Sequence, residues 1–496
     1  MAPQQFPRLL ASEIDGRAQN TRFRQTQFHA LQTVLVANIE AIRTALAADS
    51  GNSAEEITAE ICLVFNEIKT HYEDLNLEDD LEREYRVADG KDNGDAVRGA
   101  GIVYVIPTSH TMFFSTISAV AGGIVAGNCV ILELTKNTMA LPPLLSRLLT
   151  QALDTDIFAI AEERPDAAFL EKVLVVAQTD IGTASYPRAL MSPVTARTVA
   201  VVDRTADLSA TAQALVAARF AFGGRSTYAP GVVLVHEFAL KGLVEALILH
   251  SSRYLSGPEG EEREKAVAVS NNPRRTAAGQ SVLDAANKDP SARVLVSGSQ
   301  WGVVEVHDRA SVLLKRKIAE RVLILHPITS LDDAIEVCAD FGTLATTYAF
   351  ASPPSAKYLT QFIDAHVSYV NHVPFEMLIG PALPILPAIP SDINTVHPRS
   401  TRYTQSTFQV PRPQFISESA SGILVRKLLS SKTNSKETLE VWNTLVKPLP
   451  PTKQKNGPRI GFFEQGIITG GVITLTSLIG AFATVGYYAV VFLRRV

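Results

Sequence analysis

The side chains able to attack a carbonyl or hold a metal are sparse in this 496-residue chain. Its three cysteines, Cys62, Cys129 and Cys338, are far apart, show no C-x-x-C spacing and lie within apolar stretches. A zinc site or a dithiol redox centre needs closely spaced thiols, so the pattern points to a reducing compartment and to no metal site. Cys129 falls in a run that reads as a buried strand and Cys338 on a helix, settings in which a free thiol is ordinarily packing. That leaves imidazole and hydroxyl groups. His110 closes the segment VIPTSH, and Ser226, Thr227 and Tyr228 follow one another in GGRSTYAP. Histidine exchanges protons near neutral pH, whereas a hydroxyl becomes a nucleophile only beside a base. His110 reads equally well as an ordinary hydrogen-bonded histidine at a strand end.

Charge and length bound the setting of such chemistry. With 46 Lys and Arg against 50 Asp and Glu, the formal charge is −4 and no basic run stands out, which argues against nucleic acid as a partner. The length suits two or three domains at about 100–200 residues each. The N-terminal stretch MAPQQFPRLLASEIDG lacks the unbroken apolar core of a secretory signal, so the body is expected in the cytosol.

The elements that must position these residues alternate. TRFRQTQFHALQTVLVANIEAIRTALAAD carries apolar residues at helical spacing, and a second amphipathic helix opens at Ser53 with Glu56 three residues on, a capping-box pattern. GIVYVIP and CVILEL read as buried strands flanking a helix of small and apolar residues, TMFFSTISAVAGGIVAGN. KVLVVAQ, TVAVVD, an Ala-rich helix over 206–224, GVVLVHE, ERVLILHPI, TTYAFAS and VSYVNHV continue the series, the signature of parallel sheet with helices on its faces. The stretch 238–300 reads as polar and helical. From Pro374 onward proline is frequent, which suits a loop or arm.

The C-terminal end is of another kind. From Gly466 to Leu493 no residue is charged, more than the roughly 20 residues needed to cross a bilayer core. Tyr487 and Tyr488 lie near one end, Arg494 and Arg495 follow, and Lys453, Lys455 and Arg459 precede. A single-pass, tail-anchored protein facing the cytosol is the expectation, with the endoplasmic reticulum as the default membrane. Gly470, Gly471 and Gly480 are candidate helix-contact positions within the span.

Between about 20 and 375 the order of segments resembles the aldehyde dehydrogenase superfamily, nearest its membrane-anchored fatty-aldehyde, class 3-like branch. VIPTSH resembles the family's V-I-G-T-W-N. GGIVAGNCVILELTK at 122–136 resembles G-A-I-A-A-G-N-x-V-V-L-K-P-S-E, and Gly224-Arg225-Ser226-Thr227-Tyr228-Ala229-Pro230 resembles G-Q-T-C-V-A-P. KRKIAERVLILHPITSLDDAI at 315–335 resembles the E-E-I-F-G-P segment with its following helix, and Asn371 falls on the family's G-x-x-x-N-D strand. The resemblance implies an α/β fold with two Rossmann-like parallel-sheet domains, a small β oligomerisation arm and the C-terminal transmembrane helix. In this chain these fall at 1–205 (N-terminal helices and cofactor-type domain), 206–375 (catalytic-type domain), 376–465 (Pro-rich arm and linker, with 400–425 as a continuation of the β arm) and 466–493. A homo-oligomer is implied as well.

The family's chemistry implies a thiolate nucleophile, oxyanion donors, hydride transfer to NAD(P) and a carboxylate that activates water. Here Thr227 stands at the nucleophile position and His110 at the oxyanion position. Between Asp180 and Asp203 there is no carboxylate, where the resemblance implies the general base. The ribose-contact lysine is Glu133, the acidic residue three positions on is Lys136, and the nicotinamide-side ribose glutamate is Lys317. The pyrophosphate turn reads Gln178-Thr179, and the late P-F-G-G loop reads Pro374-Phe375-Glu376-Met377. The cofactor is therefore either none or NAD, since a carboxylate at 133 can still bind a ribose diol. Three readings stay open: a membrane-tethered pseudoenzyme acting as scaffold, ligand binder or enzyme partner; an enzyme of altered chemistry acting on a hydrophobic small molecule, with His110 as acid/base beside Thr227, Ser226 or Tyr228; and an NAD(P)-dependent oxidoreductase of long-chain aldehydes.

Overall fold

A computed structural model describes residues 5–182, 186–193, 195–256, 281–298, 301–382, 384, 403–430, 436–451 and 462–493. The chain forms two units, 1–416 and 417–496.

The first unit opens with helices: α1 (Pro7–Asp15), α2 (Thr21–Ala37), α3 (Ile39–Ser50), α4 (Ala54–Glu73) and α5 (Leu77–Tyr85). The capping box at Ser53 and Glu56 forms as the spacing predicts. The stretch predicted as one helix over 21–49 is instead broken at Asn38, whose backbone leaves helical geometry while its side-chain amide donates to the Val34 carbonyl at 2.8 Å. Asparagine competes with helix continuation in this way, and the break lets α2 and α3 pack separately on the core.

A five-stranded parallel sheet follows, built from β2 (Ile102–Ile106), β3 (Cys129–Glu133), β4 (Phe158–Ala161), β5 (Leu174–Ala177) and β6 (Ala189–Met191), in the order β4-β3-β2-β5-β6. Every residue of β2 and β3 is buried, as continuous apolar runs covered on both faces must be. Between them runs α6 (Met112–Val125), buried from Phe113 onward, with α7 (Leu141–Ala152) and α8 (Ala167–Leu170) completing the crossovers. Cys62, on α4, is exposed although its sequence neighbours are apolar. Helical spacing turns Ile61 and Val64 inward and Cys62 out.

The chain passes to a second sheet between Met191 and Thr198. Its strands are β7 (Thr198–Val202), β8 (Val232–His236), β9 (Ala292–Ser297), β10 (Trp301–Val306), β11 (Arg321–Ile328), β12 (Leu344–Phe350) and β13 (Ala365–Val370), in the order β13-β12-β7-β8-β11-β10-β9. All neighbours are parallel except β9 and β10. Around it lie α9 (Leu208–Phe220), α10 (Glu237–Ser256), α11 (Val282–Ala286), α12 (Val312–Lys315), α13 (Leu331–Ala339) and α14 (Pro353–Phe362). Here the polar, helical reading of 238–300 needs correction: β9 is a strand. As the edge of the sheet it is only partly buried, so its apolar signal is weak. The residues of the hydrophilic loop SGPEGEEREK from 257 onward lie outside the described residues.

A two-stranded antiparallel ribbon pairs β1 (Val97–Gly99) with β14 (Gln409–Pro411), so the 400–425 segment contributes a strand. Just before β14, Tyr403 and Phe408 are fully buried and stacked, and they face Gly122 of α6 so closely that a Cβ there would lie 2.6 Å from the Phe408 ring.

The second unit contains α15 (Ala420–Ser430), α16 (Lys436–Leu445) and α17 (Phe462–Leu493). Within α17, Glu464–Tyr488 is 25 residues of mean hydropathy 1.8, long and apolar enough to be a candidate membrane span. Its hydroxyls turn back on the helix: Thr469, Thr474, Thr476 and Thr484 each donate to the carbonyl four residues earlier. That satisfies them within the helix, as hydrocarbon requires. Gly470, Gly471 and Gly480 have open space where a side chain would stand.

Candidate active site

The loop after α9 is set by glycine and arginine. Gly224 has φ +68°, and a Cβ there would lie 2.5 Å from the Glu320 carbonyl oxygen, so only glycine lets the loop press against the segment leading into β11. Arg219, wholly buried at the end of α9, donates from Nε to the Glu320 carbonyl at 2.8 Å and from Nη1 to the Ala229 carbonyl at 3.2 Å. Arg321 returns the contact through its Nε to the Phe220 carbonyl at 2.9 Å. The loop 224–229 and the segment 316–321, about a hundred residues apart, are thereby held edge to edge.

Thr227 and Lys317 meet across that seam. Lys317 Nζ donates to Thr227 Oγ1 at 3.2 Å, and Thr198 Oγ1 donates to the Thr227 carbonyl at 2.6 Å. Both Thr227 and Lys317 are half-buried. They line a crevice of about 20 Å³ together with Arg197, Thr198 and Arg316. Arg197 lies over the Phe341 ring at 5.2 Å, and Arg316 reaches Glu320 at 3.7 Å. Burial, reinforced by the Arg219 charge, lowers Lys317 to about 8. A space of this size admits about one water molecule.

Ser226 and Tyr228 are buried. Ser226 Oγ accepts from the Tyr228 amide at 3.3 Å, and the Tyr228 carbonyl accepts from the Tyr348 hydroxyl at 2.9 Å. His110 is turned elsewhere: its Nε2 lies 2.9 Å from the Leu378 carbonyl, which can only accept, so Nε2 carries a proton. The ring meets Phe222 edge-on at 6.4 Å between centroids. His110 is not among the residues lining the crevice of Thr227. The structure thus joins Thr227 to Lys317, and joins His110 to the 375–378 segment.

Of the positions that the resemblance gives to the cofactor, Lys317 stands against Thr227 just before β11, while Glu133, Lys136 and Gln178 lie at or just beyond strand ends of the first sheet and are filled by the protein's own contacts. Glu133, at the end of β3, is gripped by Arg164 through Nε at 3.1 Å and Nη2 at 3.0 Å, and accepts from the Tyr104 hydroxyl at 2.6 Å. Lys136 is exposed and pairs with Glu162 at 2.7 Å. Gln178 is buried between elements: its Oε1 accepts from the Thr108 amide at 3.2 Å, and its Nε2 donates to the Ser115 carbonyl at 2.8 Å and to the Tyr403 hydroxyl at 3.1 Å. As they stand, these residues do not fit a nicotinamide dinucleotide. Met377 is buried against Tyr228, and Asn371, at φ 58°, exchanges two hydrogen bonds with the Ala351 backbone at 2.9 Å.

Sequence reasoning missed Arg219, Arg197 and Arg164. Arg219 carried a usable signal, a lone arginine inside the apolar run Leu215–Phe220. Arg164 carried none, because its partner Glu133 stands 31 residues away. The buried thiols are remote in character from a nucleophile: burial pushes Cys129 up to about 11 and Cys338 up to about 12.

With that geometry in hand, comparison with known proteins is consistent. The profile described as the aldehyde dehydrogenase family matches residues 16–315. The dimeric NADP-preferring aldehyde dehydrogenase of Rattus norvegicus is 23% identical over 391 residues, 75% of this chain and 85% of that protein. Aldehyde dehydrogenase family 3 member A2 of Pongo abelii is 22% identical over 383 residues, 71% of this chain and 75% of that protein. Among solved structures, the substrate-bound AldH of Staphylococcus aureus superimposes with a TM-score of 0.65 at 15% identity, covering 90% of this chain and 100% of that one.

Proposed function

Because the chain belongs to the aldehyde dehydrogenase family, we propose that it is a membrane-tethered member that has given up the family's aldehyde oxidation and serves as a scaffold, a ligand binder or a partner of an active enzyme. The observation that carries this reading is the pairing at the nucleophile position, where a threonine hydroxyl meets a lysine amine and no thiol lines the crevice among the described residues. A threonine hydroxyl does not ionise near neutral pH as a cysteine thiol does, so the thioester route has no starting point there. The clasp of Arg164 and Tyr104 on Glu133 supports the same reading from the cofactor side.

The candidate span at Glu464–Tyr488 supports tethering. We place the body on the cytosolic side of the endoplasmic reticulum membrane, as a homo-oligomer in keeping with the dimeric relative. The test is calorimetric titration of the full chain in detergent with NAD+ and NADP+. No binding at millimolar nucleotide is the expected result, and saturable binding would restore an oxidoreductase.

A further inference from the structure

Two helices of the second unit have exposed apolar faces. In α15, helical spacing puts Leu424, Val425, Leu428 and Leu429 on one side and Arg426, Lys427 and Ser430 on the other, and no residue of the helix is buried. Leu429 is 83% exposed. In α16, Leu439, Trp442, Leu445 and Val446 share one side and all are exposed; the Val446 amide extends the last turn by donating to the Trp442 carbonyl at 3.0 Å. Helices of 11 and 10 residues are marginal in water by themselves, so these two take their stability from a surface that covers their apolar sides.

Position and charge identify that surface. Leu445 stands 19 residues before Glu464, where the candidate span begins, so an inserted span holds both helices at high local concentration beside a bilayer. Residues 417–463 carry eight Lys and Arg against three Asp and Glu, whereas residues 1–416 carry 36 against 46. A positive excess beside exposed leucine and tryptophan suits a helix lying in the headgroup layer of an anionic membrane, aliphatic side chains toward the acyl chains and basic ones toward the phosphates. Tryptophan favours that boundary. A protein partner would use the leucines and Trp442 but would leave the charge imbalance without a cause. Arg426 pairs with Glu418 at 2.7 Å and still keeps 69% of its side chain exposed, open to a phosphate as well.

We propose that α15 and α16 are a docking segment for anionic phospholipid, seated in the headgroup layer of the membrane that α17 crosses. It rests on the reading that the chain is tethered by its span, and the two are separable: α17 fixes whether the chain enters a bilayer, and α15 and α16 fix where Trp442 then lies.

Trp301 and Trp442 are the chain's two tryptophans, so a Trp442→Phe variant supplies the blank from which the Trp442 fluorescence is obtained. The full chain is reconstituted into vesicles of phosphatidylcholine alone or mixed with phosphatidylserine, with bromine placed on the acyl chains either near the headgroups or near the chain ends. The expected result is that Trp442 is quenched more strongly by the shallow bromine than by the deep one, and more strongly with phosphatidylserine present. Each basic residue at an anionic surface strengthens association on the order of five-fold, so Arg426→Gln, Lys427→Gln and Lys447→Gln combined should lower the ratio of docked to undocked Trp442 about ten-fold or more. A chain that resists carbonate extraction while Trp442 is open to aqueous iodide would overturn the docking and leave the tether standing. Trp442 shielded from both iodide and bromine would show a protein surface covering α16, a second copy or another part of the chain, and would also overturn it. Quenching indifferent to phosphatidylserine and to the three substitutions would refute the anionic-lipid assignment. Release of the chain by carbonate would overturn the tether and the docking together.

Discussion

Glu60→Gln isolates a proton that the fold holds at unusual cost. Glu60 lies on α4, fully buried, with Oε1 accepting from the Phe114 amide at 3.1 Å in the first turn of α6. Burial raises its carboxyl from the ordinary 4.5 to about 7, against the opposing pull of the Phe114 and Phe113 amides and the Arg225 charge. A folded value above the unfolded one means that the contribution to stability is fully present below 4.5 and is lost as pH rises through 7. That displacement corresponds to about 3 kcal/mol. Buried His71, eleven residues on, acts in the other direction. Burial pushes it from 6.5 down to about 4, so its contribution is present above 6.5 and lost as pH falls through 4, again about 3 kcal/mol. Between about pH 4.5 and 6.5 the two oppose each other, and the unaltered chain should show little slope from this pair. Glutamine keeps the carbonyl that accepts from Phe114 and cannot ionise. In Glu60→Gln the His71 slope then stands alone, and the difference in unfolding free energy between variant and unaltered chain shifts by about 3 kcal/mol in favour of the variant from about pH 4.5 to about pH 7. Urea unfolding at a series of pH values measures that difference, and two curves that run parallel across this window would refute the reasoning.

Other expectations are simpler to read. Iodoacetamide at neutral pH should modify the exposed Cys62 and spare Cys129 and Cys338, whose thiols burial holds protonated; peptide mass spectrometry before and after denaturation distinguishes them. Gly224→Ala places a Cβ 2.5 Å from the Glu320 carbonyl oxygen in left-handed backbone, so it should cost about 2 kcal/mol or more and lower the melting temperature. Arg164→Ala removes the clasp on Glu133. With the guanidinium partly open to water, the loss should be near 1 kcal/mol, measured by chemical denaturation.

The parts of the fold legible in advance were those whose signal is local. β2 and β3 are unbroken apolar runs because both faces are covered, and the Ser53 and Glu56 box is a contact between residues three apart. β9 was not legible because an edge strand keeps polar side chains, and the break at Asn38 turns on one side-chain hydrogen bond that periodicity does not register. At the candidate site, residue types could be assigned to positions along the chain, but Thr227 and Lys317 are 90 residues apart and their contact depends on how Gly224 and Arg219 bring two loops together. The pairing of His110 with Leu378 spans 268 residues and is likewise a product of tertiary packing.

The seat of Tyr403 and Phe408 on α6 has a consequence for synthesis on the ribosome. The groove over Gly122 and the partner of β1 are both supplied from beyond residue 400, while β1 itself ends at Gly99. At translation rates of about 5–20 residues per second, α6, which ends at Val125, waits on the order of 15–60 s for the segment that covers it. Through that interval the emerging polypeptide displays an apolar helix with its glycine face uncovered, and the candidate span is still to come. Chaperone engagement of the nascent chain should therefore concentrate on the stretch around α6 and fall once β14 has emerged.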